Sequence, residues 1–223
     1  MKLSGEIFEI FSEYEDINGI YLCGGYIRNK LISGRGGKDI DLFIDCTRKQ
    51  LGGLTEYLKR YGRIDYGQYG SPRFFPKSST EQYVDLVPFY NFVVSPSPIN
   101  TIEDLLTNFD FTANAIGINL KTGEFHDPLN GREDIRNRVL RAVRLDFPER
   151  PVSDMINFSA VSVFWFRLLH YQKILGFNFD SITERWIMEN AFRIKDKDNF
   201  RKHFFNPDID ETMKIKIEKC LHQ

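Results

Sequence analysis

An apolar run closing on two glycines, Leu22-Cys23-Gly24-Gly25, is followed after residues 26–38 by a second apolar run broken by two acids, Asp39-Ile40-Asp41-Leu42-Phe43-Ile44. Alternate side chains of a strand share a face, so Asp39 and Asp41 stand side by side with Cα atoms roughly 6.6 Å apart. Two carboxylates held that close repel each other and lose hydration. A divalent cation removes that cost, and paired oxygen donors suit Mg²⁺ and phosphoryl chemistry. Glycines that end a strand and open a helix leave the first helical amides bare and aim the positive end of the helix at a phosphate. Taken singly, the glycines are a tight turn and the aspartates an edge strand with a polar face. Their combination at this distance points to transfer chemistry on a phosphate chain.

Two further residues have a chemical and a plain interpretation. Asp85 interrupts the strand-like run Tyr83-Val84-Asp85-Leu86-Val87. It either completes the acid cluster as a general base toward an attacking hydroxyl or lies on a polar outer face. Arg28, one turn into the helix after the glycines, either reaches a phosphate or is a solvated helix arginine. Tyr66, Tyr69, Phe74 and Phe75 interleave with Arg63 and Arg73, a pattern that stacks bases in some proteins and fills sheet cores in more of them.

The elements that must position these groups follow from periodicity and punctuation. Residues 7–14, 26–33 and 47–60 carry helical apolar spacing, and 20–23, 40–44, 63–69, 73–75 and 82–88 are strand-like. The order strand, glycine turn, helix, strand frames the site. Ser95-Pro96-Ser97-Pro98 breaks the pattern, a capped helix is expected from Thr101 to Asn108, and residues 116–120 and 124–127 form a hairpin around Lys121-Thr122-Gly123. Beyond Pro151 the spacing becomes helical, with helices expected over 154–175, 181–192 and 210–221. The expectation is an α+β head with a mixed sheet and flanking helices over residues 1–147, followed by a helical part over 148–223.

Composition narrows the class. The 223 residues suffice for a proper core, and 30 Lys plus Arg against 31 Asp plus Glu leave a formal charge of −1, so no global basic field marks a nucleic-acid binder. Basic charge is local, in Arg132, Arg136, Arg138, Arg141, Arg144 and Arg150. Three cysteines, Cys23, Cys46 and Cys220, show no metal-ligand spacing and do not pair evenly, which argues for a reducing, cytoplasmic setting. Residues 1–6 lack an apolar signal core, and the most apolar later run, 158–169, is too short for a membrane span and contains Arg167. A soluble protein with no membrane partner is expected.

With these residues in view, the chain resembles the polymerase-β-like nucleotidyltransferase superfamily, whose signature is Gly-Gly, a spacer and Asp-x-Asp between apolar residues. Residues 24–42, with Arg28 and Lys38, are similar to the head of the class II tRNA nucleotidyltransferases and bacterial poly(A) polymerases. So is Asp110-Phe111-Thr112-Ala113-Asn114-Ala115, followed by Gly123, Asp127-Pro128, Gly131, Asp134-Ile135 and Leu140-Arg141. The resemblance covers residues 20–141 and implies a palm sheet with two Mg²⁺ ions, for which Mn²⁺ can substitute. It makes Asp39, Asp41 and Asp85 the metal-binding catalytic acids. Gly24, Gly25, Arg28, Lys38, Asp110, Asn114 and Arg141 become nucleotide-binding residues.

The implied reaction moves a nucleoside monophosphate from an NTP, ATP or CTP, to an RNA 3′ hydroxyl, with tRNA or a tRNA-like end as acceptor and pyrophosphate released. Transfer to a protein or small-molecule acceptor is the nearest alternative, and a non-catalytic nucleotide-binding module the more distant one. The chain also departs from the pattern. Asn29 stands where the family has Asp, and Asn108-Phe109 where it has two arginines. The base-reading Glu-Asp-x-x-Arg element finds only Ser153-Asp154 with Asn157. At ~1.5 Å per helical residue, the part after Pro151 leaves room for a short neck only.

Overall fold

The computed structural model describes residues 5–37, 39–67, 70–78, 82–92, 98–153 and 156–221. Lys38, Tyr69, Ser95 to Ser97 and Asp154, all named above, lie outside the described residues. The chain forms two compact units. The first comprises residues 1–109 and 114–132, and the second residues 110–113 and 133–223.

In the first unit the elements run α1 (Glu6–Ser12), β1 (Gly19–Cys23), α2 (Gly25–Ser33), β2 (Asp39–Asp45), α3 (Arg48–Leu58), β3 (Gly62–Tyr66), β4 (Pro72–Pro76), β5 (Tyr83–Pro88), α4 (Ile102–Leu106), β6 (Gly117–Asn119) and β7 (Phe125–His126). The strands form a sheet in the order β3-β4-β5-β2-β1-β6-β7, antiparallel except between β2 and β5. Residues facing each other across a ladder share a sheet face. The registers Ile20↔Ile44, Leu22↔Leu42, Ile40↔Val84 and Phe74↔Val84 therefore collect one apolar face, and all of these side chains are buried. Each contributes about 1.5–3 kcal/mol by leaving water.

That face is where the local helix signals lead. Phe11 of α1 meets Phe74 edge-on at 5.9 Å, and Tyr14 packs on Tyr57 of α3 at 5.0 Å. Thr47 starts α3 with a capping box, its hydroxyl accepting from the Gln50 amide and Gln50 Oε1 accepting from the Thr47 amide. The opposite sheet face carries Tyr21, Phe43, Asp39, Asp41, Tyr83, Asp85 and Arg73, set there by the registers Tyr21↔Phe43, Asp39↔Tyr83, Asp41↔Asp85 and Arg73↔Asp85.

In the second unit, α5 (Gly131–Asn137), whose first residues belong to the first unit, leads into β8 (Val139–Leu140), β9 (Pro151–Ser153), β10 (Ile156–Ser159), α6 (Ala160–Leu175), β11 (Asn178–Phe179), α7 (Ser181–Glu189), α8 (Lys197–His203) and α9 (Glu211–Leu221). Its core holds Trp165, Phe166 and Phe200, with the Trp165 indole donating to the Ile187 carbonyl at 3.0 Å. The long helix begins later than its spacing predicts. Residues 156–159 form a strand pairing with β9, and Ser159 then caps α6 by accepting from the Ser162 amide. Ile156 and Phe158 alternate inward around an exposed Asn157, and Phe158 packs on Phe166 and Phe200. That burial outweighs the helical spacing. Among the described residues no helix is long and apolar enough to cross a membrane.

Candidate active site

The glycine turn is built from the backbone outward. Gly24 has φ 74° and ψ −138°, its amide donates to the Ile116 carbonyl at 3.2 Å, and a Cβ here would lie 3.4 Å from the Phe109 ring. A side chain strains such a conformation, so glycine is required. Helix geometry leaves the first-turn amides of α2 without intrahelical acceptors, and no side chain caps them. This end of α2 therefore presents N–H groups and positive dipole.

Arg28 is neither solvated nor directed at this turn's exterior. Its side chain is buried at 5% exposure; Nη1 donates to Asn114 Oδ1, and Nε and Nη2 donate to Asn29 Oδ1 at 3.2 and 3.0 Å. A Cβ on Gly25 would come within 3.4 Å of the guanidinium, so the small residue lets the arginine fold back beneath the turn. Arg28 and Asn114 thus meet, both in the first unit, and brace the start of α2.

Asp39 is exposed at the start of β2, and Asp41 is half-buried on the same face with Asp85 in register beside it. Burial, and then the neighbouring Asp41 carboxylate, pushes the Cys23 thiol well above its ordinary range, so the thiol stays protonated and inert. Asp85 is held by Arg73, which donates from Nε to Oδ1 at 2.7 Å and from Nη2 to Oδ2 at 3.2 Å. The same guanidinium lies over the Tyr83 ring, 4.4 Å from its centroid. Burial, then the Asp39 charge, raises the Tyr83 phenol, while Arg73 pulls it the other way. Among the described residues, no three histidine, cysteine or acidic side chains gather closely enough to form a ready metal cluster.

Aromatic rings cover the rest of this face. Phe43 lies 5.3 Å from Phe109, and Phe92 stacks on Phe109 at 6.0 Å. Of the aromatics that interleave with Arg63 and Arg73, Phe74 is fully buried, Phe75 lies under the Arg63 guanidinium and Tyr66 is exposed. Sheet packing accounts for the first two.

In the second unit, residues 110–113 run beside 141–143. Phe111 bridges Ala142, the Thr112 amide donates to the Arg141 carbonyl at 2.9 Å, and the Val143 amide donates to the Asp110 carbonyl at 3.1 Å. The Asp110 carboxylate accepts from Arg167 Nη2 at 2.6 Å and Nε at 3.0 Å. Buried Asp134 accepts from the Thr112 hydroxyl at 2.6 Å and from Arg141 at 3.0 and 3.1 Å, and Arg141 also reaches Asp180 at 3.3 Å. Of the clustered arginines, Arg136, Arg141 and Arg144 are paired with acids of their own neighbourhood.

Sequence reasoning did not assign site roles to Arg73, Asp134 or Arg167. Arg73 left a trace, a lone charge within Pro72-Arg73-Phe74-Phe75-Pro76. Arg167 meets Asp110 from 57 residues away and Asp134 meets Thr112 from 22, and neither contact left a local trace.

A family model described as the Poly A polymerase head domain matches residues 72–141. A multifunctional CCA protein of Xanthomonas oryzae pv. oryzae is 35% identical over 143 residues, spanning 60% of this chain and 32% of that protein. Over these stretches the chain is similar to the head of the tRNA nucleotidyltransferases. Solved structures agree on the fold. A CCA-adding enzyme with CTP superposes with a TM-score of 0.62 at 21% identity, covering 99% of this chain and 49% of that one. The Thermotoga maritima CCA-adding enzyme complexed with tRNA gives 0.62 at 20% identity, covering 99% and 48%. The sheet described above thus shares the fold of these CCA-adding enzymes. The chain spans about a third of the length of the curated relatives it matches.

Proposed function

We propose that this protein is a metal-dependent nucleotidyltransferase that moves a nucleoside monophosphate from ATP or CTP to an RNA 3′ hydroxyl, with tRNA or a tRNA-like end as acceptor. The observation that carries this is the placement of Asp39 and Asp41 on the open face of β2, next to β1 and the uncapped N-terminus of α2 that follows it. The acids fit a divalent ion by their chemistry. They are oxygen donors spaced two residues apart on one strand face, with Asp85 in register beside Asp41. Asp39 and Asp41 would hold Mg²⁺, two ions when Asp85 joins them, with Mn²⁺ able to substitute. A bound divalent ion supplies positive charge against the triphosphate and the attacking oxygen.

The chain's own groups divide the remaining work. The α2 amides after Gly24 and Gly25 donate to triphosphate oxygens, with Lys38 assigned to the same phosphates. Arg28 and Asn114 fix that turn from beneath. Asp110 and Arg141 are assigned to nucleotide binding, and within the second unit Arg167 holds Asp110 and Asp134 holds Arg141. The RNA 3′ oxygen bonds to the α-phosphorus, the α–β anhydride bond breaks, pyrophosphate leaves, and the hydroxyl proton passes to Asp85. We assign this chemistry to the head, residues 1–147, with 148–223 as a helical neck-like part. Free Cys23, Cys46 and Cys220 fit a cytoplasmic setting.

The test is incubation with each labelled NTP, Mg²⁺ or Mn²⁺ and total RNA, beside the Asp39→Asn plus Asp41→Asn variant. Labelled RNA from the wild type alone is the expected result. Label on protein shifts the acceptor, and NTP binding without transfer ends the enzymatic reading.

A further inference from the structure

Both oxygens of the third acid are already engaged. Arg73 faces Asp85 directly across the β4–β5 ladder and grips it side-on through Nε and Nη2 at 2.7 and 3.2 Å. Its guanidinium is braced on the Tyr83 ring at 4.4 Å. A fork of this kind is the strong form of an arginine–carboxylate pair, and the guanidinium cannot release the acid by losing its proton. A competing cation can. Asp85 is in register with Asp41 on the other side, so the acid stands between a monovalent cation on β4 and the carboxylates of β2. The pair lies at the solvent edge, with side chains 35% and 24% exposed, which keeps the cost of opening it modest.

We propose that Arg73 and a divalent cation compete for Asp85, making Arg73 a positioning residue that holds the third acid aside until the ion arrives. This rests on the reading of Asp39 and Asp41 as metal ligands. Divalent charge displaces the guanidinium, and Asp85 joins the β2 acids only in the loaded state. The acid that takes the hydroxyl proton is thereby available only when the metal is in place.

The test is Mn²⁺ binding to the full chain, followed as loss of the free-ion electron paramagnetic resonance signal. Arg73→Gln is expected to bind Mn²⁺ about tenfold more tightly, the scale of one charge-assisted bidentate pair, and Arg73→Lys about threefold, because a point charge cannot fork. Adding Asp85→Asn abolishes both gains. A purely structural pair would lower the melting temperature and leave affinity unmoved, and Arg73→Lys carries the test if Arg73→Gln does not fold. Unchanged or weaker Mn²⁺ binding in the folded Arg73 variants overturns the proposal, while loss of binding in Asp39→Asn plus Asp41→Asn leaves the metal reading intact. Binding indifferent to that double variant overturns both.

Discussion

The Arg28 guanidinium, buried one turn into α2, donates to Asn114 Oδ1 while its other nitrogens hold Asn29. Asn114 is thus tied beneath the Gly24-Gly25 turn from a segment remote along the chain. Hydrogen bonds to a buried charged group are stronger than those between neutral groups, so each of these contacts matters.

Arg28→Met removes those donors and leaves the buried Asn114 oxygen and the half-buried Asn29 oxygen without them. The expected loss is about 2–3 kcal/mol of stability, the scale of hydrogen bonds to a charged group. Chemical denaturation measures it, and an unchanged midpoint would show that the bridge is dispensable.

Gly24→Ala forces a side chain into φ 74°, ψ −138° against the Phe109 ring. A cost of about 1–3 kcal/mol is expected from backbone strain, with weaker binding of a fluorescent ATP analogue. Wild-type binding in a folded Gly24→Ala protein would separate the turn from the phosphate.

Asp134 ties Thr112 to Arg141 in the second unit. Asp134→Ala is expected to destabilise by about 2–3 kcal/mol, below the range for fully buried pairs because Arg141 is half exposed. Asp134→Asn, which keeps an acceptor for Thr112, recovers part of that. Thermal melts of both variants decide it.

His170 gives the second unit a pH dependence. Its Nδ1 accepts from the Asp208 amide at 3.1 Å, and burial, partly offset by the Asp208 charge, lowers its pKa below the ordinary histidine value of 6.5. A depressed folded-state pKa means that the unfolded chain binds the proton more readily. The stabilisation is therefore complete above pH 6.5 and is lost as pH falls through the folded-state pKa. The melting temperature of the wild type is expected to fall more steeply between pH 7 and 5 than that of His170→Gln; parallel slopes would refute this.

Much of the first unit was legible because it is encoded locally. The Gly24-Gly25 turn between β1 and α2, the two acids of β2 and the hairpin of β6 and β7 each rest on short-range rules of alternation, φ preference and capping. The residues that stand next to those acids were not. Arg73 meets Asp85 only because β4 pairs with β5 in one register, and a shift of one residue would turn Arg73 into the core. Phe158 shows the same limit, since helical spacing around it gave way to a strand once Phe166 and Phe200 were there to cover it.

The sequence by itself determined the glycine turn and the acid pair, because each of those features is encoded within a few neighbouring residues. Only the tertiary structure decided that Arg28 is buried on Asn114, that Asp134 holds Arg141 and that Arg73 occupies Asp85. Each of those contacts is set by how the strands, helices and turns that carry the two residues pack. Long-range register and burial, which no local pattern encodes, choose the partner of a charged side chain.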